Sequence, residues 1–404
     1  MMRRARRCGI AAGVVGVLVV SACQPHTEPD RDPDGSGATA PDASDVQPIE
    51  DVVSALDEPA SADLPEPLVD PDRLISGGPP PDGIPALDDP AMEPADEVDW
   101  LADDEPVLAV EVGGEHRAYP VQILMWHEIA NDTIADVPVA VTYCPLCDSS
   151  LAFDRRVEGR VLDFGVSGML YNSDLVMFDR QTHSLWPQIE GEAVAGALTG
   201  TELDQLSVAV LPWSVWREET PEGLVLSEDT GHDRDYGGNP YVGYDEPGGE
   251  PYLFDGEADD RLRAMERVVG IGAQPRDGDT DALAIPHEVL AEERVVTAEV
   301  DEEPVVVWAG PGHTSALDSA RIAEGRQLGT TAAFHTRVDG QDLTFTPHPD
   351  EEDRFLDEET ASTWTVLGEA SAGPLEGEQL DAVDHLDTFW FAWASFNPET
   401  EILE

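Results

Sequence analysis

Ala152-Phe153-Asp154-Arg155-Arg156-Val157-Glu158-Gly159-Arg160-Val161-Leu162-Asp163-Phe164 meets a second version of itself at Ala333-Phe334-His335-Thr336-Arg337-Val338-Asp339-Gly340-Gln341-Asp342-Leu343-Thr344-Phe345. Each version places an acidic residue and Gly between apolar runs, a hairpin signal. Other matches flank this one in the same order. Ala118-Tyr119-Pro120 recurs as Ala284-Ile285-Pro286, and Pro138-Val139-Ala140-Val141 as Pro304-Val305-Val306-Val307. Asp179…Thr182…Ser184…Trp186 recurs as Asp357…Thr360…Ser362…Trp364, and the pair Trp213, Trp216 as Trp390, Trp393. Ordered recurrence predicts a tandem duplication, with copies near 104–230 and 267–400.

Within each copy the patterning is mostly that of strands. Val107–Val112 alternates and leads through Gly113-Gly114 into a second short strand. Tyr119-Pro120 opens a helix, because Pro is tolerated in a first helical turn, and Asn131-Asp132 is read as its stop. Pro138–Tyr143 reads as a buried strand, and Pro212–Glu219 as a short helix with both Trp on one face. The expected fold is α+β and β-rich. It consists of two tandem homologous repeats of antiparallel β-hairpins with a few short helices, the second repeat degenerate.

The chain has 404 residues, with 84 acidic side chains against 22 basic ones, all of them Arg, and a net charge of −62. Such a surface excludes a role built on phosphate contacts, so no nucleic-acid partner is expected. It speaks to solubility and leaves the chemistry open.

The first 23 residues read as an export address. Arg3, Arg4, Arg6 and Arg7 precede the apolar run Ile10–Val20, then Val20-Ser21-Ala22-Cys23. That is the order of a signal peptide, with an apolar run too short to span a bilayer. Val-Ser-Ala-Cys resembles a bacterial lipobox. Residues 1–22 are therefore expected to be a lipoprotein signal peptide, and Cys23 the lipidated residue that anchors an extracytoplasmic protein to the bilayer. Residues 23–71, rich in Asp, Glu, Pro, Ala and Ser, are expected to be an acidic disordered tether. The first repeat with its lead-in would occupy 72–266 and the second 267–404.

Residues peculiar to the first copy are the candidates for chemistry. Tyr143-Cys144-Pro145-Leu146-Cys147 stands where the second copy has Ala309-Gly310-Pro311-Gly312. Two Cys two residues apart can turn both sulfurs to one point. Metal ligation, a disulfide that opens and closes, and a static disulfide stapling a turn are three readings of that pattern. Trp126-His127-Glu128 offers His127 as a third ligand or proton carrier, since imidazole titrates near neutrality. The run Gly165–Asp174 is read as a polar loop in which Asn172, Ser173 and Asp174 line a pocket for a small ligand. Arg180 could hold an anionic group, or form a structural ion pair in so acidic a chain. His183, His232 and His313 are read as surface or hydrogen-bonded residues. With two thiolates and an imidazole, the expected ion is zinc or copper. The competing expectation is a non-catalytic module presenting a groove to an envelope partner.

Several of these segments together resemble domain-of-unknown-function family 3179, a set of bacterial and archaeal proteins often exported as lipoproteins. They are Ser76-Gly77-Gly78-Pro79-Pro80, Trp126-His127-Glu128-Ile129, Thr142-Tyr143-Cys144-Pro145-Leu146-Cys147, Asn172-Ser173-Asp174, Asp179-Arg180-Gln181-Thr182 and Asp235-Tyr236-Gly237. The resemblance runs from about residue 72 to the end. It implies that Ser76–Pro85 belongs to the folded unit, and it brings no established activity. One departure is Asp148, where similar members commonly carry Gly or Asn.

Overall fold

The computed structural model describes residues 52–272, 282–301, 303–351 and 353–403. The expected signal peptide, the lipidation site Cys23 and the first part of the tether lie outside the described residues. Within them no helix is long and apolar enough to cross a membrane.

The described chain is β-rich, with four seven-residue α-helices: α1 Val121–His127, α2 Trp213–Glu219, α3 His287–Glu293 and α4 Trp390–Phe396. Elements follow the same order in both halves. In the first half Pro106–Val112 pairs antiparallel with Val208–Pro212 on one side and Glu115–Pro120 on the other. In the second half Arg267–Ile271 pairs in the same way with His385–Phe389 and Leu283–Pro286. Leu224–Leu226 then runs parallel to Glu115–Pro120, as Glu401–Ile402 does to Leu283–Pro286. α1 and α3 both follow a Pro and end on a residue with positive φ, Glu128 at 60° and Arg294 at 62°.

The halves do not own separate cores. Trp213 and Trp216 of the first share one buried cluster with Trp308, Phe355 and Trp364 of the second. A single sheet face must be covered by another layer, and here the other half supplies part of that cover. The expected boundary at residue 266 is therefore a boundary of sequence pattern, crossed by packing.

Three local expectations are corrected. The helix expected to run to Asn131-Asp132 stops at His127, because Glu128 turns into positive φ. Ile129–Ile134 is instead a strand paired with Val137–Cys144, and the Asn131 amide bonds the Phe164 backbone. The polar loop of 165–174 is mostly strand: Phe164–Tyr171 and Asp174–Asp179 pair, with a bulge between Val166 and Met169. The bulge lets Gly168 (φ 77°) lie so close to Pro79 that a Cβ would overlap its carbonyl oxygen. This contact seats the lead-in Ser76–Pro85 on the sheet. Finally, the tether ends earlier than composition suggested. Ala55 and Val69 are buried against Tyr171, Val176, Phe178 and Leu185, so residues 52–71 belong to the folded unit. A few well-placed apolar residues suffice where a preformed apolar surface receives them.

Candidate metal centre

Two hairpin tips build the site. Val137–Cys144 pairs with Ser149–Asp154 so that Cys144 faces Ser149, leaving Pro145–Asp148 as the turn. Asp148 closes it at φ 53°, a conformation that Gly or Asn adopts most readily. In the second hairpin Tyr171 faces Asp174, and Asn172-Ser173 make a two-residue turn with φ of 53° and 70°. Positive φ at both central residues is what such a tight hairpin requires.

The first tip brings two sulfurs inward and the second brings a carboxylate. Ligand atoms of Cys144, Cys147 and Asp174 lie within 4.8 Å of one another. Among the described residues this is the one such grouping of three His, Cys, Asp or Glu side chains. Both cysteines are free thiols, so the static disulfide expected under the alternative reading is not formed. All three side chains are buried. Asp174 Oδ2 accepts a hydrogen bond from the Ile189 N–H at 3.0 Å, while Oδ1 has no hydrogen-bond partner. Burial pushes the Asp174 carboxyl well up, and nearby Glu190 adds to this. Burial likewise pushes the Cys147 thiol up, with Cys144, Asp174 and Asp148 adding to it. Left alone, the Cys147 thiol and the Asp174 carboxyl are both held in their neutral forms.

A strap without helix or strand covers the tip. Tyr244 donates its hydroxyl proton to the Leu146 carbonyl at 2.9 Å, and Ser173 Oγ donates to the Tyr252 carbonyl at 2.5 Å.

The remaining expected residues are placed elsewhere. His127 does not join the sulfurs. Its Nδ1 donates to the Pro85 carbonyl and its Nε2 accepts from the Tyr236 hydroxyl, both at 2.7 Å. Burial lowers it to about 4 despite the Pro85 bond, so the ring is neutral. It fastens two loops to α1, and with both nitrogens occupied it has no lone pair for an ion. Asn172 Oδ1 accepts from Arg73. Arg180 is held by Asp82 and Asp88, each at 3.0 Å. Of the expected pocket residues, Asp174 lies beside the sulfurs, and Ser173 and Asn172 shape the turn that places it there.

Sequence reasoning stopped one residue short at Glu128. Its side chain is buried, and burial alone pushes its carboxyl up to about 8. An acid between the mostly apolar Val121–Met125 and Ile129-Ala130 was the available signal. In the unfolded chain it ionises near pH 4.5, whereas in the folded chain it stays protonated until about pH 8. The folded state therefore loses relative stability as pH rises through that window. Glu128→Gln is expected to remove this loss. Its unfolding free energy in urea should match the wild type near pH 4.5 and exceed it at pH 8 by on the order of 4 kcal/mol. Parallel curves over the whole range would contradict this.

The fold and site define a class: a β-rich α+β protein with a buried dithiol–carboxylate cluster at the meeting of two hairpin tips. The model of the family described as "Protein of unknown function (DUF3179)" matches residues 81–400, and the chain belongs to that family. Comparison with curated proteins and with solved structures returned no match.

Proposed function

We propose that the protein is a membrane-tethered, extracytoplasmic lipoprotein whose working part is a zinc site formed by Cys144, Cys147 and Asp174. The observation that carries this reading is the unpartnered Asp174 Oδ1 buried beside two free thiols. A buried carboxylate oxygen without a donor is costly unless something positive meets it. Four-coordinate zinc, with bonds of about 2.0–2.3 Å, spaces its ligand atoms about 3.3–3.8 Å apart, inside the limit seen here. Two thiolates and one carboxylate suit zinc, whereas copper(I) prefers an all-soft set. Three protein ligands leave a fourth position for water or a substrate, the pattern of a working site. A thiol-redox role is less well supported, since reactive Cys pairs have lowered thiol pKa values and Cys147 is pushed the other way.

The Cys23 anchor rests on the sequence Val20-Ser21-Ala22-Cys23 alone. The test of the site is metal analysis of the purified full chain. We expect about one zinc per chain, lost in Cys144→Ser/Cys147→Ser and retained in His127→Ala. A metal-free wild type after zinc-replete purification, or zinc that survives the double substitution, sinks the reading.

A further inference from the structure

The thiol–carboxylate cluster is closed. Cys144, Cys147 and Asp174 are each 2 % exposed or less, so an ion or a reagent reaches them only if part of the cover moves. On one side that cover is paired sheet. The Cys147 carbonyl accepts from the Phe389 N–H at 3.1 Å and from Thr388 Oγ1 at 2.8 Å, both on His385–Phe389, a strand itself paired with Arg267–Ile271. On the other side the cover is the strap. Burial pushes the Tyr244 hydroxyl up, and Cys147 and Cys144 add to this, so its ring stands within electrostatic reach of both thiols.

The strap is firmly held at two points. Asp245 is buried and accepts from Ser315 Oγ at 2.5 Å, Arg326 Nη2 at 2.6 Å and Arg267 Nη2 at 3.1 Å. Phe254 packs edge-on against Phe391, with ring centroids 5.3 Å apart. Residues 246–253 lie between these anchors. Among the described residues, this span makes one hydrogen bond beyond the strap itself: the Tyr252 carbonyl accepts from Ser173 Oγ at 2.5 Å. The Tyr252 N–H donates to Tyr244 Oη at 3.2 Å, and Tyr252 as a whole is 59 % exposed, so its ring adds little hold. The next residue, Leu253, has φ 52°. Left-handed backbone under a branched side chain is strained, and such strain persists only where its surroundings enforce it.

We propose that residues 246–253 are a gate over the two thiols and Asp174, latched by Ser173 and loaded towards opening by Leu253. Opening breaks the Ser173–Tyr252 bond and lets Leu253 turn back to negative φ, while Asp245 and Phe254 stay in place. Ser173 immediately precedes Asp174, so the latch sits on the turn that brings the carboxylate to the sulfurs. As the way in to a fourth zinc position, the gate rests on the zinc reading; as the cover of two thiols, it does not.

The test is the rate at which iodoacetamide alkylates Cys144 and Cys147 in the full chain, with metal removed by a chelator and the modified peptides read by mass spectrometry. Ser173→Gly removes the latch hydroxyl and keeps the turn, because Asn-Gly is the pair such a hairpin favours. Its rate should rise about tenfold. Leu253→Asn, which accepts left-handed backbone more readily, should lower the rate about tenfold. Opening so short a span exposes little surface, so the wild-type rate should be nearly flat in low urea, where a rate set by global unfolding climbs steeply. Equal rates in all three proteins, or a wild-type rate that climbs steeply with urea, overturn the gate. A Leu253→Asn rate at or above the wild type overturns the loading by strain, and should Ser173→Gly fail to fold, that outcome is decisive against the proposal. Because the assay holds no zinc, failure of the zinc reading leaves its result standing, and failure of the gate leaves the metal analysis standing.

Discussion

Asp174→Asn is expected to move metal binding and stability in opposite directions. The substitution keeps the shape and the acceptor for Ile189 N–H, and it removes a buried acid whose Oδ1 has no hydrogen-bond partner. Without zinc, the wild-type chain must keep Asp174 protonated near neutral pH, where the unfolded chain ionises it freely. That difference in proton binding costs the folded state free energy at pH 7. The asparagine carries no such cost, so at pH 7 the zinc-free variant should be more stable than the zinc-free wild type. Zinc affinity should fall by about 100-fold or more, since a charged first ligand is lost. Chemical denaturation in the presence of a chelator reads the first effect and competition with a colorimetric chelator the second. A variant that is less stable without metal and binds zinc unchanged would show that Asp174 is merely a packed side chain.

Asp179→Ala and Asp357→Ala should each be among the most damaging single changes away from the sulfurs. Asp179 accepts from Thr182 N at 2.5 Å, Thr182 Oγ1 at 2.8 Å, Ser184 N at 3.2 Å and Trp186 Nε1 at 3.1 Å. Asp357 accepts from Thr360 N, Thr360 Oγ1, Ser362 N and Trp364 Nε1 at 2.5, 2.9, 3.1 and 3.0 Å. Both tryptophans are completely buried. Removing the carboxylate strands an indole N–H and two backbone N–H groups in the interior. At roughly 1–3 kcal/mol for each unsatisfied donor, partly relieved by water, the loss should be about 3–5 kcal/mol. In a chain of this size that is a fall in Tm of roughly 4–7 °C. Asparagine keeps one acceptor oxygen and should lose about half as much. Differential scanning fluorimetry of the four variants tests this, and a fall below about 2 °C for both alanines would contradict it.

These two aspartates also show what the chain discloses as text. Asp-x-x-Thr-x-Ser-x-Trp recurs because each copy of the motif is a closed local network, its donors and acceptor within seven residues. Local networks leave local signatures. The hairpin tip at Glu158-Gly159, the short helix carrying Trp213 and Trp216, and the Cys-Pro-Leu-Cys turn were legible for the same reason. The end of α1 was not, because Asn131 is a helix-stopping residue by type. Here it is held in a strand by the backbone of Phe164, 33 residues away.

The β-rich class, the ordered recurrence of elements and the candidacy of Cys144, Cys147 and Asp174 were legible in the sequence, through spacings of a few residues that chain stereochemistry converts directly into turns and pairs. Tertiary structure alone decided which side chain lies beside the thiol pair. His127 stands nearer to Cys144 in sequence than Asp174 does, but strand pairing carries the Asn172-Ser173 turn to the sulfurs and buries His127 between Pro85 and Tyr236. It also decided what covers the cluster, since Tyr244 and Tyr252 reach the two hairpin tips only when segments far apart in the chain are laid side by side.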